Sequence, residues 1–316
     1  MGTGLLKDFT AINASKANFD DIYIMPDPRA YFSILGALDY IIPDLADPVV
    51  RQILTAYSKI HDRRPRVLDV GCSYGINAAV HRFPVNVDLL RRRYASADMA
   101  AVSPDELMAL DKNFFESWPD IGAADFIGLD ISNEAVNYAK QVGLLRDGIV
   151  ANLETDRITA AQAKIAGSAD VILSTGCIGY VSEKTYTQLL NTMSRPPWII
   201  SFVLRMFSYN SFEKVMQAHG LVTERLASAT FVQRRFRDQE EMEKTVSTLA
   251  RLGIDPSGFE ADGMIHAELY LSRPAEDVRL ASLDELVTVT SGRNRLTGAR
   301  YVRVETADGP QVALAP

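Results

Sequence analysis

The run VLDVGCSYG, residues 67–75, carries an apolar strand directly into a loop bracketed by two glycines. In an open parallel sheet, the carboxyl end of the first strand is where a ligand meets backbone amides. Gly71 and Gly75 let the chain turn tightly there and leave room for a ligand, because neither carries a β-carbon. The spacing is wrong for a dinucleotide: Gly-x-Gly-x-x-Gly would need glycines at 71, 73 and 76, and the chain has Ser73 and Ile76. It is wrong for a nucleoside triphosphate too, since no Lys-Ser/Thr pair follows in place. The loop is therefore suited to a ligand that carries a nucleoside but no phosphate.

Around this loop the sequence alternates between strands and helices. DFIGLDI (125–131), GIVANL (148–153), DVILST (170–175) and WIISFVL (198–204) read as further strands, and LVTERL, ATFVQRRF and HAELYLS as the last ones. Between them lie helical stretches such as SNEAVNYAKQVGLL, with Ser132 as N-cap, and NSFEKVMQAHG, closed by Gly220. The pattern predicts an α/β fold, a mainly parallel Rossmann-like sheet with helices on both faces.

Three segments fall outside that rhythm. Residues 1–59 read as an N-terminal helical cap: a PDPR turn, a helix bearing Tyr31, Ile34, Leu35 and Leu38, and a second helix with Pro48 in its first turn. Within the main domain, 60–274, residues 84–124 read as a helical insertion placed to cover a site. Ser103, Pro104 and Glu106 give it a capping-box start. Residues 275–316 form a C-terminal extension ending in a hairpin around Asp308 and Gly309, which suits an edge hairpin, a small cap or a dimer arm.

The 33 Lys and Arg against 40 Asp and Glu leave a net charge of −7, which argues against a nucleic-acid partner. Arg91–Arg93 and Arg234, Arg235 and Arg237 read as solvated surface or internal ion pairs. No run of eighteen apolar residues and no signal-peptide pattern occurs, and Leu6 stands where myristoylation wants Ser or Thr, so a cytoplasmic protein away from membranes is expected. Cys72 and Cys177 read as reduced. The four histidines are scattered, with no pair at ligand spacing, so no metal site is expected.

DVGCSYG followed by FIGLDIS resembles the class I S-adenosylmethionine-dependent methyltransferases over roughly residues 60–205. The family loop is acidic-x-Gly-x-Gly-x-Gly; here it reads Asp69, Gly71, Ser73 and Gly75, with Cys72 between and serine at the middle glycine. The resemblance implies that Asp130, ending the second strand, binds both ribose hydroxyls, although Asp130 would also serve as a plain helix cap. It further implies Ile131 against the adenine, Asn152 at its amino edge with Leu153 supporting the ring, and Thr175, Gly176 and Cys177 as walls near the sulfonium.

S-adenosylhomocysteine would be the product, and the acceptor a small molecule with an oxygen, nitrogen or carbon nucleophile, methylated by in-line displacement without metal. Tyr180 and His219 are the candidate bases, if one is used; His219 before Gly220 also suits a helix end. Arg29, among Tyr23, Met25, Tyr31 and Phe32, is a candidate partner of the methionyl carboxylate or of an acidic substrate. Competing readings are a binding or assembly protein that retains the pocket, a nicotinamide oxidoreductase, and a methyltransferase acting on a protein side chain. Exposed strand edges leave room for a homodimer.

Overall fold

The computed structural model describes residues 20–289, 301–306 and 309–314. Its main sheet has eight strands: β1 (Arg66–Val70), β2 (Asp125–Asp130), β3 (Asp147–Val150), β4 (Val171–Thr175), β5 (Trp198–Leu204), β6 (Leu221–Arg225), β7 (Phe231–Arg235) and β8 (Met264–Pro274). They lie in the order β3-β2-β1-β4-β5-β8-β6, with β7 also paired to β8. The first five are parallel, with Val67 opposite Phe126 and Val171. The order reverses between β1 and β4, so the ends of these two strands part and leave a crevice.

Burial explains the apolar strands. All seven residues of β5 are buried, as are the last four of β1, so both faces of the sheet are covered. β8 runs antiparallel through the other half: one edge pairs with β5 along its length, and the opposite edge is shared between β6 and β7. β7 slips register between Val232 and Arg234, a bulge that breaks the in–out alternation and leaves both Gln233 and Arg234 buried. The helix Gln239–Arg251, not anticipated from the sequence pattern, contributes Glu241 as the partner of Arg234.

The N-terminal helices differ in detail from expectation. The helix after the PDPR turn is Arg29–Gly36; it buries Tyr31, Phe32 and Leu35, whereas Ile34 faces solvent. The next helix runs from Ile42 to His61, so Pro43, not Pro48, occupies its first turn. Pro48 sits inside, where its ring costs one backbone bond in a twenty-residue helix.

The insertion is helical as expected, comprising Val87–Ala95, Ala97–Ala101 and Pro104–Glu116, the last with the Ser103–Glu106 capping box in place. None of its residues lines the crevice. Buried Asp111 instead accepts hydrogen bonds from Arg93 (2.8 and 3.0 Å), Tyr94 (3.1 Å) and Tyr138 (2.7 Å), fastening the insertion to the helix Asn133–Gln141. Near the C-terminus, β9 (Tyr301–Thr306) and β10 (Gly309–Leu314) pair antiparallel; the turn residue Asp308 lies outside the described residues, as does the cap before Asp20.

Candidate functional site

The crevice opens into a cavity of about 680 Å³ at the carboxyl ends of β1, β2 and β4. Its floor is the loop of the opening motif. Gly71 and Cys72 donate their backbone N–H groups to the carbonyl of Leu129 (2.8 and 3.1 Å), locking the loop to the end of β2. Gly71 has φ +74°, and a β-carbon there would lie 2.7 Å from Cβ of Cys177, so both the turn and the close approach require glycine. Ser73 takes a left-handed conformation, φ +48°, at the place of the family's middle glycine. Gly75, also left-handed, precedes the helix Ile76–Arg82.

Asp130 faces this loop. Its Oδ2 accepts from the Ser73 N–H at 2.8 Å and its Oδ1 from the Ser132 N–H at 3.0 Å. Helix capping falls to the next residue but one, because the Ser132 hydroxyl accepts from the Ala135 N–H at 3.0 Å. Asp130 is thus aligned by two amides, and each of its oxygens keeps lone-pair capacity for a diol. Burial raises its pKa above the usual carboxylate range, with the amide bonds opposing that rise.

Asp69 lies beneath the floor and does not line the cavity. It is fully buried and accepts from Asn77 Nδ2 at 3.0 and 3.1 Å; the same amide reaches Thr175 Oγ1 at 2.9 Å. Desolvation lifts its pKa to about 7, which the Asn77 bonds only partly offset. A buried acid whose folded-state pKa is raised stabilises the fold while protonated and loses that contribution as pH rises from near 4 through about 7. Asp69→Asn should therefore gain thermal stability relative to the parent as pH is raised from 5 to 8. A difference independent of pH would show that Asp69 does not titrate there.

The remaining candidates divide. Ile131, Asn152, Leu153, Thr175, Gly176, Cys177 and Tyr180 all line the cavity with Gly71, Cys72, Ser73 and Asp130. Ile131 and Tyr180 stand at its rim, 69% and 48% exposed. Cys72 contributes mainly packing: it is buried, and its Sγ would lie 2.4 Å from a β-carbon on Gly128. Cys177 Sγ lies 3.0 Å from Ser174 Oγ, and neither cysteine is in a disulfide.

Two expectations are corrected. Arg29 is turned out of the cavity, held bidentately by Asp27 (2.7 and 2.9 Å) and by the carbonyls of Met99 (3.1 Å) and Val102 (3.0 Å), so it fastens the cap to the insertion. His219 ends its helix outside the cavity, with ring nitrogens 2.9 Å from the Val215 carbonyl and 3.2 Å from Asn191 Oδ1. In their place the structure brings Tyr23, Tyr31 and Tyr40 from the cap, and Gln233 and Arg234 from β7. The cap is seated by the Tyr74 hydroxyl, which donates to the carbonyls of Ile22 and Met25 (both 2.8 Å), and by the Ser132 hydroxyl, which donates to that of Tyr23. Among the described residues, no three His, Cys, Asp or Glu gather as metal ligands, and no helix is long and apolar enough to cross a membrane.

The strand order, the reversal beside β1 and the glycine-bracketed loop define an open, mainly parallel Rossmann-like α/β sheet with its crevice at the switch point. No family model matches the chain, and no curated protein matches it. Among solved structures, the plantazolicin methyltransferase BpumL, in complex with a triazolic desmethylPZN analog and SAH, is 14% identical. That match has a TM-score of 0.41 and covers 85% of this chain and 99% of that one. A TehB-like SAM-dependent methyltransferase from Corynebacterium glutamicum ATCC 13032 Kitasato is 15% identical, with a TM-score of 0.33, over 70% of this chain and 87% of that one. A functionally unknown protein from Deinococcus radiodurans R1 is 15% identical, with a TM-score of 0.36, over 78% and 87%.

Proposed function

We propose that the protein transfers the methyl group of S-adenosylmethionine to a small-molecule acceptor, in line and without a metal ion. The observation that carries this reading is Asp130, aligned by the Ser73 and Ser132 amides across from a loop whose Gly71 leaves no room for a side chain. A carboxylate so placed accepts two charge-assisted hydrogen bonds from a ribose diol. The buried Ser73 Oγ has no hydrogen-bond partner among the described residues and fits the same cradle. Ile131 would flank the adenine, Asn152 its amino edge with Leu153 supporting the ring, and Gly71 and Gly176 the methionyl end.

When bound, S-adenosylmethionine supplies a methyl carbon made electrophilic by its sulfonium. The protein's task is alignment and exclusion of water. Desolvation pushes the phenols of Tyr23, Tyr31 and Tyr40 above the ordinary tyrosine range, so all three stay protonated near neutrality. Tyr180, at the rim, remains the candidate if a proton must be removed.

Calorimetric titration with S-adenosylmethionine, S-adenosylhomocysteine and NAD separates the readings. Saturable binding of the two adenosyl ligands with NAD silent is expected. Binding of NAD alone would transfer the site to hydride chemistry, and binding of none would withdraw the cofactor assignment.

A further inference from the structure

Besides the loop and Asp130, the cavity is lined by two segments that are stitched together. The Ile41 N–H donates to the Gln233 carbonyl at 2.9 Å, and the Arg235 N–H to that of Leu38 at 2.7 Å. These bonds hold Tyr40 beside the bulged part of β7. Tyr31 sits 6.0 Å, ring to ring, from both Tyr40 and Tyr23, edge-on to each, so three phenols stand together on this lining.

The charges on the lining are one-sided. Asp130, Glu134 and Glu154 stand against a single guanidinium, that of Arg234. That guanidinium is committed: it is 2% exposed, donates to both oxygens of Glu241 (2.6 and 2.9 Å) and donates to the Arg235 carbonyl. Gln233, 4% exposed, adds an amide whose Oε1 lacks a hydrogen-bond donor among the described residues. Its Nε2 would lie 2.3 Å from a β-carbon on Gly176, which places the amide against the end of β4.

An acidic or phosphorylated acceptor would find no uncommitted cation among the described residues of this lining. A cationic group finds three tyrosine rings, three carboxylates and an amide oxygen without a donor among the described residues. We infer that the methyl acceptor is an amine carried on an aromatic or apolar body, held by the tyrosine wall and Gln233. This inference rests on the methyl-transfer reading above. In the step it implies, the bound ammonium first releases a proton to solvent, and the lone pair so freed forms the N–C bond while the C–S bond breaks. S-adenosylhomocysteine and a methylammonium group result. Positive charge thereby moves from sulfur to nitrogen within a lining suited to hold it at either atom.

The test compares one ring with three head groups. Protein saturated with S-adenosylhomocysteine is titrated with phenethylamine, 2-phenylethanol and phenylacetate at constant ionic strength. Phenethylamine should bind at least about tenfold more tightly than phenylacetate, a preference of the size that a desolvated cation over aromatic faces supplies. Gln233→Leu should narrow that ratio, and Gln233→Glu, close in shape and negatively charged, should widen it. Equal or tighter binding of phenylacetate, or no binding of phenethylamine to protein that does bind S-adenosylhomocysteine, overturns the amine assignment and leaves the cofactor site standing. Failure to bind S-adenosylhomocysteine overturns the methyl-transfer reading, and this inference with it.

Discussion

Asp130→Ala should weaken binding of S-adenosylmethionine by about 100-fold or more while leaving the protein folded. The estimate follows from the loss of two hydrogen bonds to a charged acceptor, each worth about 1.5–3 kcal/mol, with tenfold in affinity for every 1.4 kcal/mol. Folding should survive because the carboxylate's burial opposes its amide bonds, as its raised pKa records. The substitution also frees the Ser73 and Ser132 N–H groups, so part of the loss will come from a less ordered loop. Asp130→Asn separates the two effects: its amide oxygen retains one acceptor for the loop but has neither the charge nor the second acceptor for the diol. It should fall between the parent and Ala in affinity and lie near the parent in thermal midpoint. Calorimetry on both variants, beside their melting curves, decides the matter. Affinity for S-adenosylmethionine within twofold of the parent in Asp130→Ala would remove the ribose role.

Glu241→Ala should lower the free energy of unfolding by about 3–5 kcal/mol, the cost of leaving a buried charge without its partner. Arg234 is 2% exposed and depends on Glu241 for two of its bonds, and Glu241 also accepts from the Arg237 N–H at 2.8 Å. Charge removal on both sides should hurt far less: Arg234→Met with Glu241→Leu exchanges an expensive ion pair for apolar contact. Urea denaturation of the single and double variants measures the contrast. A single variant within about 0.5 kcal/mol of the parent, the ordinary range for surface changes, would mean that solvent reaches Arg234 readily.

What the sequence shows and what it conceals follow from the range of the forces involved. The first five strands, the Ser132 cap and the Ser103–Glu106 box are written in neighbouring residues, where periodicity and side-chain-to-backbone bonds act locally. The loop and Asp130 are legible for the same reason, each marking the end of a strong apolar strand. Gln233 was hidden because a polar residue in an alternating strand reads as solvent-facing. Only the register slip between Val232 and Arg234, set by pairing with β8 some thirty residues later, turns it inward. Tyr40 lies just past a helix end, and its place in the wall depends on the bond between Ile41 and Gln233.

Arg29 shows the converse error. Arginine beside aromatics suggests ligand recognition, yet nearby Asp27 claims its fork and carbonyls seventy or more positions away take the rest. The insertion was legible as helices from its capping box. Its placement was not, because Asp111 finds Tyr138 only in three dimensions.

The antiparallel β8 also fixes an order of assembly on the ribosome. Strands β1 to β5 are complete once Leu204 has emerged, but the strand that covers the β5 edge is drawn from residues 264–274. For the time needed to synthesise some sixty residues, WIISFVL, apolar along its whole length, forms an open border on which another nascent chain can add a strand. β6 and β7 also wait, because both pair with β8 in the main sheet. The half of the molecule that completes the tyrosine-lined cavity is therefore the last to close, and a chain that stops short of Pro274 presents a sticky edge to its neighbours in place of a pocket.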